Sequence, residues 1–309
     1  MGAASTTPFI VVGTDGSPAS ERAIRYAVAE AQRVGTGVRL VHVSPDYTPT
    51  TPMLPLIRDD FEQVGHRILQ EGVAVVRAAA PDCEVATVRR TGPTAATILD
   101  LAAESHLIVL GRDRHGRLGA VFTGSTTVGV AGRARCPMVS VPPDWEPDGD
   151  HGRVVVGLRA PAHATELLAR AFDLAETRGA RLVVLRAWQL PGPYDEVVEA
   201  RSHPGERARQ LEEELDPLVE RHRREHPAVE VELSVVHQQP ARALLHAAAG
   251  ADLLVLVRRA HGLPFTAHLG GTARTLLREA PCPVEVVPPR EVLAEVEGLV
   301  LERAGSVRP

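Results

Sequence analysis

The stretch ARCPMVSVPP at residues 134–143 returns, with the same pattern, as APCPVEVVPP at residues 280–289. In each, a Cys-Pro pair precedes a short β-branched run and a double proline, and Cys136 and Cys282 lie 146 positions apart. Ahead of the first copy, residues 111–127 read GRDRHGRLGAVFTGSTT; the matching residues 257–273 read VRRAHGLPFTAHLGGTA. The closing strand survives in both copies, and the glycine loop chiefly in one. In a chain of 309 residues, such self-similarity predicts two domains of about 150 residues each.

Working outward, the two halves carry one order of elements. Residues 9–14, FIVVGT, are apolar and β-branched and stop at Asp15-Gly16, so a buried strand and a turn are expected. Ser17 followed by Pro18 is an N-cap with a first-turn proline, opening a helix to about Gly35. Then come strand 38–43, a proline-rich loop, a helix over about 59–80, strand 84–90 and a helix from Thr94. Strand 107–111, the glycine loop, a helix after Gly124 and a strand from Met138 close the half. The second half offers strand 153–158, a helix to Arg178, strand 181–188 and a charged helix ending near His226. Strand 229–237, helix 241–250, strand 251–257 and a last strand from Val284 follow. Strands alternating with helices predict an α/β fold of two tandem doubly wound domains with parallel sheets. The domains expected are 1–143 and 152–289, with 143–152 (PDWEPDGDHG) as linker by its acid, proline and glycine content. In the tail, 290–309, Val292, Val296, Leu299 and Val300 share helical spacing, which predicts an extra amphipathic helix.

Composition excludes several function classes. Apolar content of 44% and charged content of 24% suit a soluble globular protein, and a net charge of −5 gives no electrostatic reason for a nucleic-acid partner. No run of about 18 apolar residues offers a membrane span, and the first residues lack the basic and apolar regions of a secretory signal. Three cysteines, two at equivalent repeat positions, are no disulfide framework, so a cytoplasmic location is expected. The chain has neither lysine nor asparagine, and all 34 basic residues are arginine. That rules out the lysine-bearing Walker P-loop and Schiff-base chemistry.

In an open parallel sheet, ligands sit beyond the carboxyl ends of the strands, where strand order reverses. Three segments of the first half emerge there: Thr14-Asp15-Gly16-Ser17, His42-Val43-Ser44, and the loop from Gly111. Glycines let a backbone approach phosphate, and a helix start offers free amides to an anion. Gly124-Ser125-Thr126 supplies both, with two hydroxyls, and Arg112, Arg114, His115 and Arg117 add positive charge. Read as residues alone, Asp15 and Ser17 fit a turn and a helix cap equally well. His42 reads as a packed residue, and the two Cys-Pro cysteines as small buried ones.

These residues resemble the universal stress protein family, here in a tandem form covering nearly the whole chain. The family signature is a glycine, two residues, a second glycine, nine residues, then Gly-Ser or Gly-Thr, followed by a Cys-Pro-Val-like strand. Gly111 matches the first glycine and Gly124-Ser125 the end; Arg114 stands at the second glycine, with Gly116 two residues later. The resemblance implies five-stranded parallel sheets of order 3-2-1-4-5 flanked by helices, and ATP, or ADP or AMP, as ligand, with Mg2+ as an optional companion. Asp15 would lie on the adenine side, Val43 would meet the adenine through its backbone, and Gly124, Ser125 and Thr126 would hold phosphate and ribose. It also implies pairing of the domains within the chain, with a homodimer as a further option, and an unidentified signalling partner. The implied role is stress response or signalling without catalysis, at most a slow ATPase.

The second half departs from this pattern. Arg159 stands where Asp15 does, Arg186 replaces His42, Val257 replaces Gly111, and Ala260 occupies the second glycine's place. Gly270-Gly271 loses the serine, and Pro264 stiffens the loop. That half is expected to be a partner domain with poor or no nucleotide binding. The competing possibility for the whole chain is a nucleotide-free interaction scaffold of the same fold. One rival motif, His222-Arg-Arg-Glu225-His226, matches a zinc-protease pattern, but it sits in a highly charged helix and reads as a solvated face.

Overall fold

The first unit is built around strands that are apolar along their whole length. β1 (Ile10–Gly13) and β4 (Leu107–Gly111) are buried at every residue, as strands covered on both faces must be. β2 (Val38–Ser44) and β5 (Met138–Val141) follow them closely. β3 (Val85–Thr91) is half-exposed and carries Arg89 and Arg90, as suits an edge strand. All pairings are parallel, in the order β3-β2-β1-β4-β5. The computed structural model describes residues 9–44, 58–113, 124–147, 149, 151–159, 164–190, 192, 205–258 and 269–289. They divide into two units after Pro147.

Helices α1 (Pro18–Val34) and α2 (Arg58–Ala79) cover one face of this sheet, and α3 (Thr94–Leu101) and α4 (Gly124–Ala131) the other. α1 shows why the sequence folds so. Ser17 Oγ accepts from Ser20 N at 3.2 Å, Pro18 occupies the first turn, and Gly35 ends the helix at φ 67°. Its buried stripe of Ala23, Ile24, Ala27, Val28 and Ala31 joins Ile10, Val12, Leu40 and Val109 in the core. The linker stretch also contributes: Trp145 packs edge-on to Tyr26, ring centroids 5.2 Å apart, against that core. Right-handed crossovers carry the chain from β1 to β2 to β3 on one side, then back past β1 to β4. Strand order reverses between β1 and β4, where doubly wound folds form a crevice beyond the carboxyl ends of the strands.

The second unit repeats the plan with β6 (Arg153–Leu158), α5 (Ala164–Arg178), β7 (Arg181–Trp188), α6 (Glu206–Glu225) and β8 (Val231–His237). α7 (Pro240–Ala248), β9 (Leu253–Val257), α8 (Gly271–Glu279) and β10 (Val284–Val287) complete it. The strands are parallel, in the order β8-β7-β6-β9-β10. Registers repeat: Gly13 pairs Val41 as Gly157 pairs Leu185, and Gly111 pairs Val141 as Val257 pairs Val287. Phe172 is fully buried among Leu168, Leu182, Val184 and Val219. α6 tolerates Pro217 in its interior because Leu211, Leu215, Val219 and His222 anchor one face in the core.

One matched pair of core positions is uncharged in the first unit and ionic in the second. Tyr26 and Val139 are buried in the first; the same places in the second hold Arg170 and Glu285, with Nε to Oε1 at 2.8 Å and Glu285 only 1% exposed. Cys136 and Cys282 are buried, and Cys136 Sγ lies 3.6 Å from Ala102 O. No helix among the described residues is long and apolar enough to cross a membrane. The expected tail helix over 290–309 falls outside them.

Candidate functional site

The turn after β1 is held from within. Asp15 Oδ1 accepts from Ser17 N at 3.0 Å, so the carboxylate closes an Asx turn beside the cap of α1. Gly16 adopts φ +78°, and a Cβ there would meet Ile68 of α2 at 3.1 Å, so both backbone and space call for glycine. Thr14 Oγ1 donates to Ser20 Oγ at 3.2 Å, tying the strand end to the first turn of α1. Asp15 itself remains half-buried, at the lip of the crevice.

β2 outruns β1. The last registered pair is Gly13 with Val41, while β2 continues beside β3 to Ser44 opposite Thr91. Along a strand, successive main-chain groups point to alternate neighbours. Thr14 N donates to Val41 O at 2.9 Å and Gly92 N to Ser44 O at 3.0 Å. The odd residues of β2 therefore turn their amides and carbonyls toward β1, and Val43 turns its own past the end of that strand. Its side chain is fully buried, so what it presents to the crevice is main chain.

His42 is packed at this mouth, as its sequence reading expects, and its ring also bonds across to the end of β1. Its ring is buried and Nδ1 lies 2.9 Å from Thr14 O, so Nδ1 carries the hydrogen and donates to that carbonyl. The ring takes the acceptor that the next amide of β2 would otherwise claim. Gly65 of α2 makes room for it, since a Cβ there would stand 3.0 Å from His42 Cδ2. The sequence signal, a glycine inside an amphipathic helix facing a histidine, becomes legible only once α2 is laid over β2.

Gly111 has a different reason from the one its loop suggests. A Cβ on it would lie 1.9 Å from Ala19 O, so the missing side chain lets the end of β4 touch the first turn of α1. This contact brings the Asp15 turn and the end of β4 together. After β4 the next described element, α4, begins at Gly124, with Thr126 and Thr127 buried in its first turn. Arg114 and Gly116 lie outside the described residues, as do the side chains at positions 124 and 125. Asp15, the Val43 main chain and Gly111 thus lie at the carboxyl ends of neighbouring parallel strands, and α4 begins on the connection that follows β4.

The second unit closes what the first leaves open. Its β6–β7 ladder runs one pair further, to Leu158 opposite Arg186. Arg159 is exposed where Asp15 stands in the first unit, and Val257 is half-buried where Gly111 is. The rival histidine motif is occupied in packing. His222 is buried, tilted against Phe172 with centroids 5.5 Å apart, and its Nδ1 is 3.2 Å from Glu225 Oε2. His226 caps α6 and places Nδ1 2.9 Å from Glu176 Oε2.

Each unit belongs to the class of doubly wound α/β folds, in which ligands, where they are bound, sit at the strand reversal. The model of the universal stress protein family matches residues 9–142 and again 151–288. The chain belongs to the universal stress protein family, with two copies of its domain in tandem. It is 27% identical over 310 residues to universal stress protein Rv1996 of Mycobacterium tuberculosis, covering 93% of this chain and 96% of that protein. A universal stress protein of Mycolicibacterium smegmatis is 29% identical over 289 residues, covering 91% and 97%. Among solved structures, a universal stress protein from Archaeoglobus fulgidus superposes with a TM-score of 0.66 at 18% identity, covering 91% of this chain and 96% of that one. One from Pseudomonas aeruginosa gives 0.60 at 17%, covering 95% and 98%. These two structures agree with the chain in fold.

Proposed function

We propose that the first unit holds an adenine nucleotide, ATP foremost with ADP or AMP on the same contacts, and that the bound state tunes a protein partner in stress response or signalling. The observation that carries this is the mouth at the strand reversal. There the Val43 main chain opens past the end of β1, beside the Asp15 turn. A purine edge needs a donor and an acceptor side by side, which one residue's amide and carbonyl supply. The glycine-bordered loop after β4 and the start of α4 suit phosphate, through backbone amides and the helix dipole. Asp15 adds an acceptor for base or ribose, and Thr126 stands in the first turn of α4. Binding rather than catalysis is proposed, since these groups orient a ligand and none is assigned a proton-transfer step.

The test is thermal melting with ATP, ADP and AMP. Ligand at about 100 times its Kd stabilises by about 2.7 kcal/mol, a shift of several degrees. The shift is expected in the wild type and absent in Asp15→Ala and Gly124→Asp. No shift with any of the three at millimolar concentration would instead favour a nucleotide-free scaffold of the same fold.

A further inference from the structure

The second unit ends its strands on cations. Arg159 follows β6, Arg186 lies in β7, and Arg258 follows β9. Arg186 shares the strand face of Leu182 and Val184, which are core residues beneath α5 and α6. Its Nε and Nη1 are buried, and neither has a hydrogen-bond partner among the described residues. Two residues on, the same face carries Trp188, whose Nε1 is likewise buried without a partner among them. The indole is held in place by stacking on His237, centroids 3.8 Å apart and planes 3° apart. So three buried N–H donors cluster at the carboxyl end of one strand. Unmet buried donors are uncommon in folded proteins, and three on one strand end make a place where an acceptor can bind.

The charges around them have one sign in excess. Burial is the chief cause pushing the Arg186 guanidinium down from its usual pKa; Glu214 of α6 draws it back, while Arg159 and Arg207 press further down. Two cations against one carboxylate leave a positive surplus. We propose that this end of the second unit is a site for a small phosphoryl oxyanion, held by Arg186 and the Trp188 indole, with Arg159 and Arg207 at its mouth. A phosphoryl group fits better than a carboxylate because Arg186 and Trp188 stand two residues apart. Phosphoryl oxygens point out of any one plane, so one can meet the indole while others keep the guanidinium, whereas the lone pairs of a carboxylate all lie in its own plane. Adenine is not part of the ligand: an arginine stands at Asp15's position, and the ladder pair Leu158–Arg186 spans what is an opening beside Val43 in the first unit. The half that lost its nucleotide pattern is then an anion site of its own, independent of ATP in the first unit.

The chain's two tryptophans, Trp145 and Trp188, give a direct readout. Inorganic phosphate, and acetate separately, would be titrated into the 15N-labelled full chain at constant ionic strength while both indole N–H resonances are followed. Phosphate is expected to shift the Trp188 resonance saturably and leave Trp145 in place, with acetate at least ~10-fold weaker. Arg186→Gln should weaken phosphate roughly 10-fold or more. Should that variant fail to fold, the Arg159→Gln/Arg207→Gln double variant changes two exposed residues only, and about 3-fold weakening is expected from it. Asp15→Ala, in the first unit, should bind phosphate as the wild type does. The site is overturned by no saturable shift, by acetate binding as tightly as phosphate, by affinity unchanged in the double variant, or by loss of binding in Asp15→Ala.

Discussion

The two units place different residues on the same scaffold positions. Where β2 passes the end of β1, His42 holds the Thr14 carbonyl and Val43 turns its main chain outward. At the matched point of the second unit, Arg186 lies against a ladder that continues one pair further. Where β4 ends, Gly111 admits the Ala19 carbonyl; its counterpart Val257 sits in an otherwise identical register with β10. Strand order, registers and the Cys-Pro strands are common to both. The fold is thus carried by apolar strands and caps, and the proposed site by a few residues at the strand ends, which can change without disturbing the sheet.

The sharpest way to break this contrast is to exchange glycine and valine. Gly111→Val drives a β-branched side chain into the Ala19 backbone. It should cost about 3 kcal/mol or more, lowering Tm by roughly 5–10 °C and abolishing the nucleotide-dependent shift. Val257→Gly should cost only about 1 kcal/mol or slightly more, from strand propensity and lost packing. Equal losses for both exchanges would show that the close approach at Gly111 has no special role.

Next in size is the matched pair of core positions. Arg170→Met leaves Glu285, 1% exposed, without its guanidinium, and about 2–3 kcal/mol should be lost in chemical denaturation. The double variant Arg170→Tyr/Glu285→Val copies Tyr26 and Val139 of the first unit and should recover most of that loss. A double variant no more stable than the single would mean that the two cores are not interchangeable here.

Smaller effects separate Asp15's place in the turn from its proposed part in binding. Asp15→Asn keeps an oxygen for Ser17 N, so stability should stay within about 0.5 kcal/mol of wild type, while nucleotide affinity drops roughly 10-fold. Asp15→Ala should lose both. If Asn binds nucleotide normally, the carboxylate serves the turn only. Least is expected of Ser17→Ala, about 1 kcal/mol of stability from the lost cap, with binding little changed.

Much of the scaffold was legible in the sequence, because buried parallel strands are unbroken apolar runs and the Ser17-Pro18 cap is local chemistry. The expected strand order, which came with the family resemblance, is the one found in each unit. Asp15 and Val43 were singled out through the same resemblance, and their part in a site is a proposal. What stayed hidden depends on residues distant in the chain: Gly111 is a glycine because of Ala19, and Gly65 because of His42. His42's bond to the Thr14 carbonyl spans 28 positions. Trp145 lies in a stretch whose composition says linker, and only the position of Tyr26 reveals that it packs. Arg170 and Glu285 lie 115 residues apart and leave no periodic trace.

The most direct measurement is the stoichiometry of ATP binding to the full chain by equilibrium titration, in wild type and in Asp15→Ala. One ATP per chain, lost in Asp15→Ala and kept in Arg186→Gln, is the expected result. Two per chain, none, or a single site that survives Asp15→Ala would contradict the assignment of the nucleotide to the first unit.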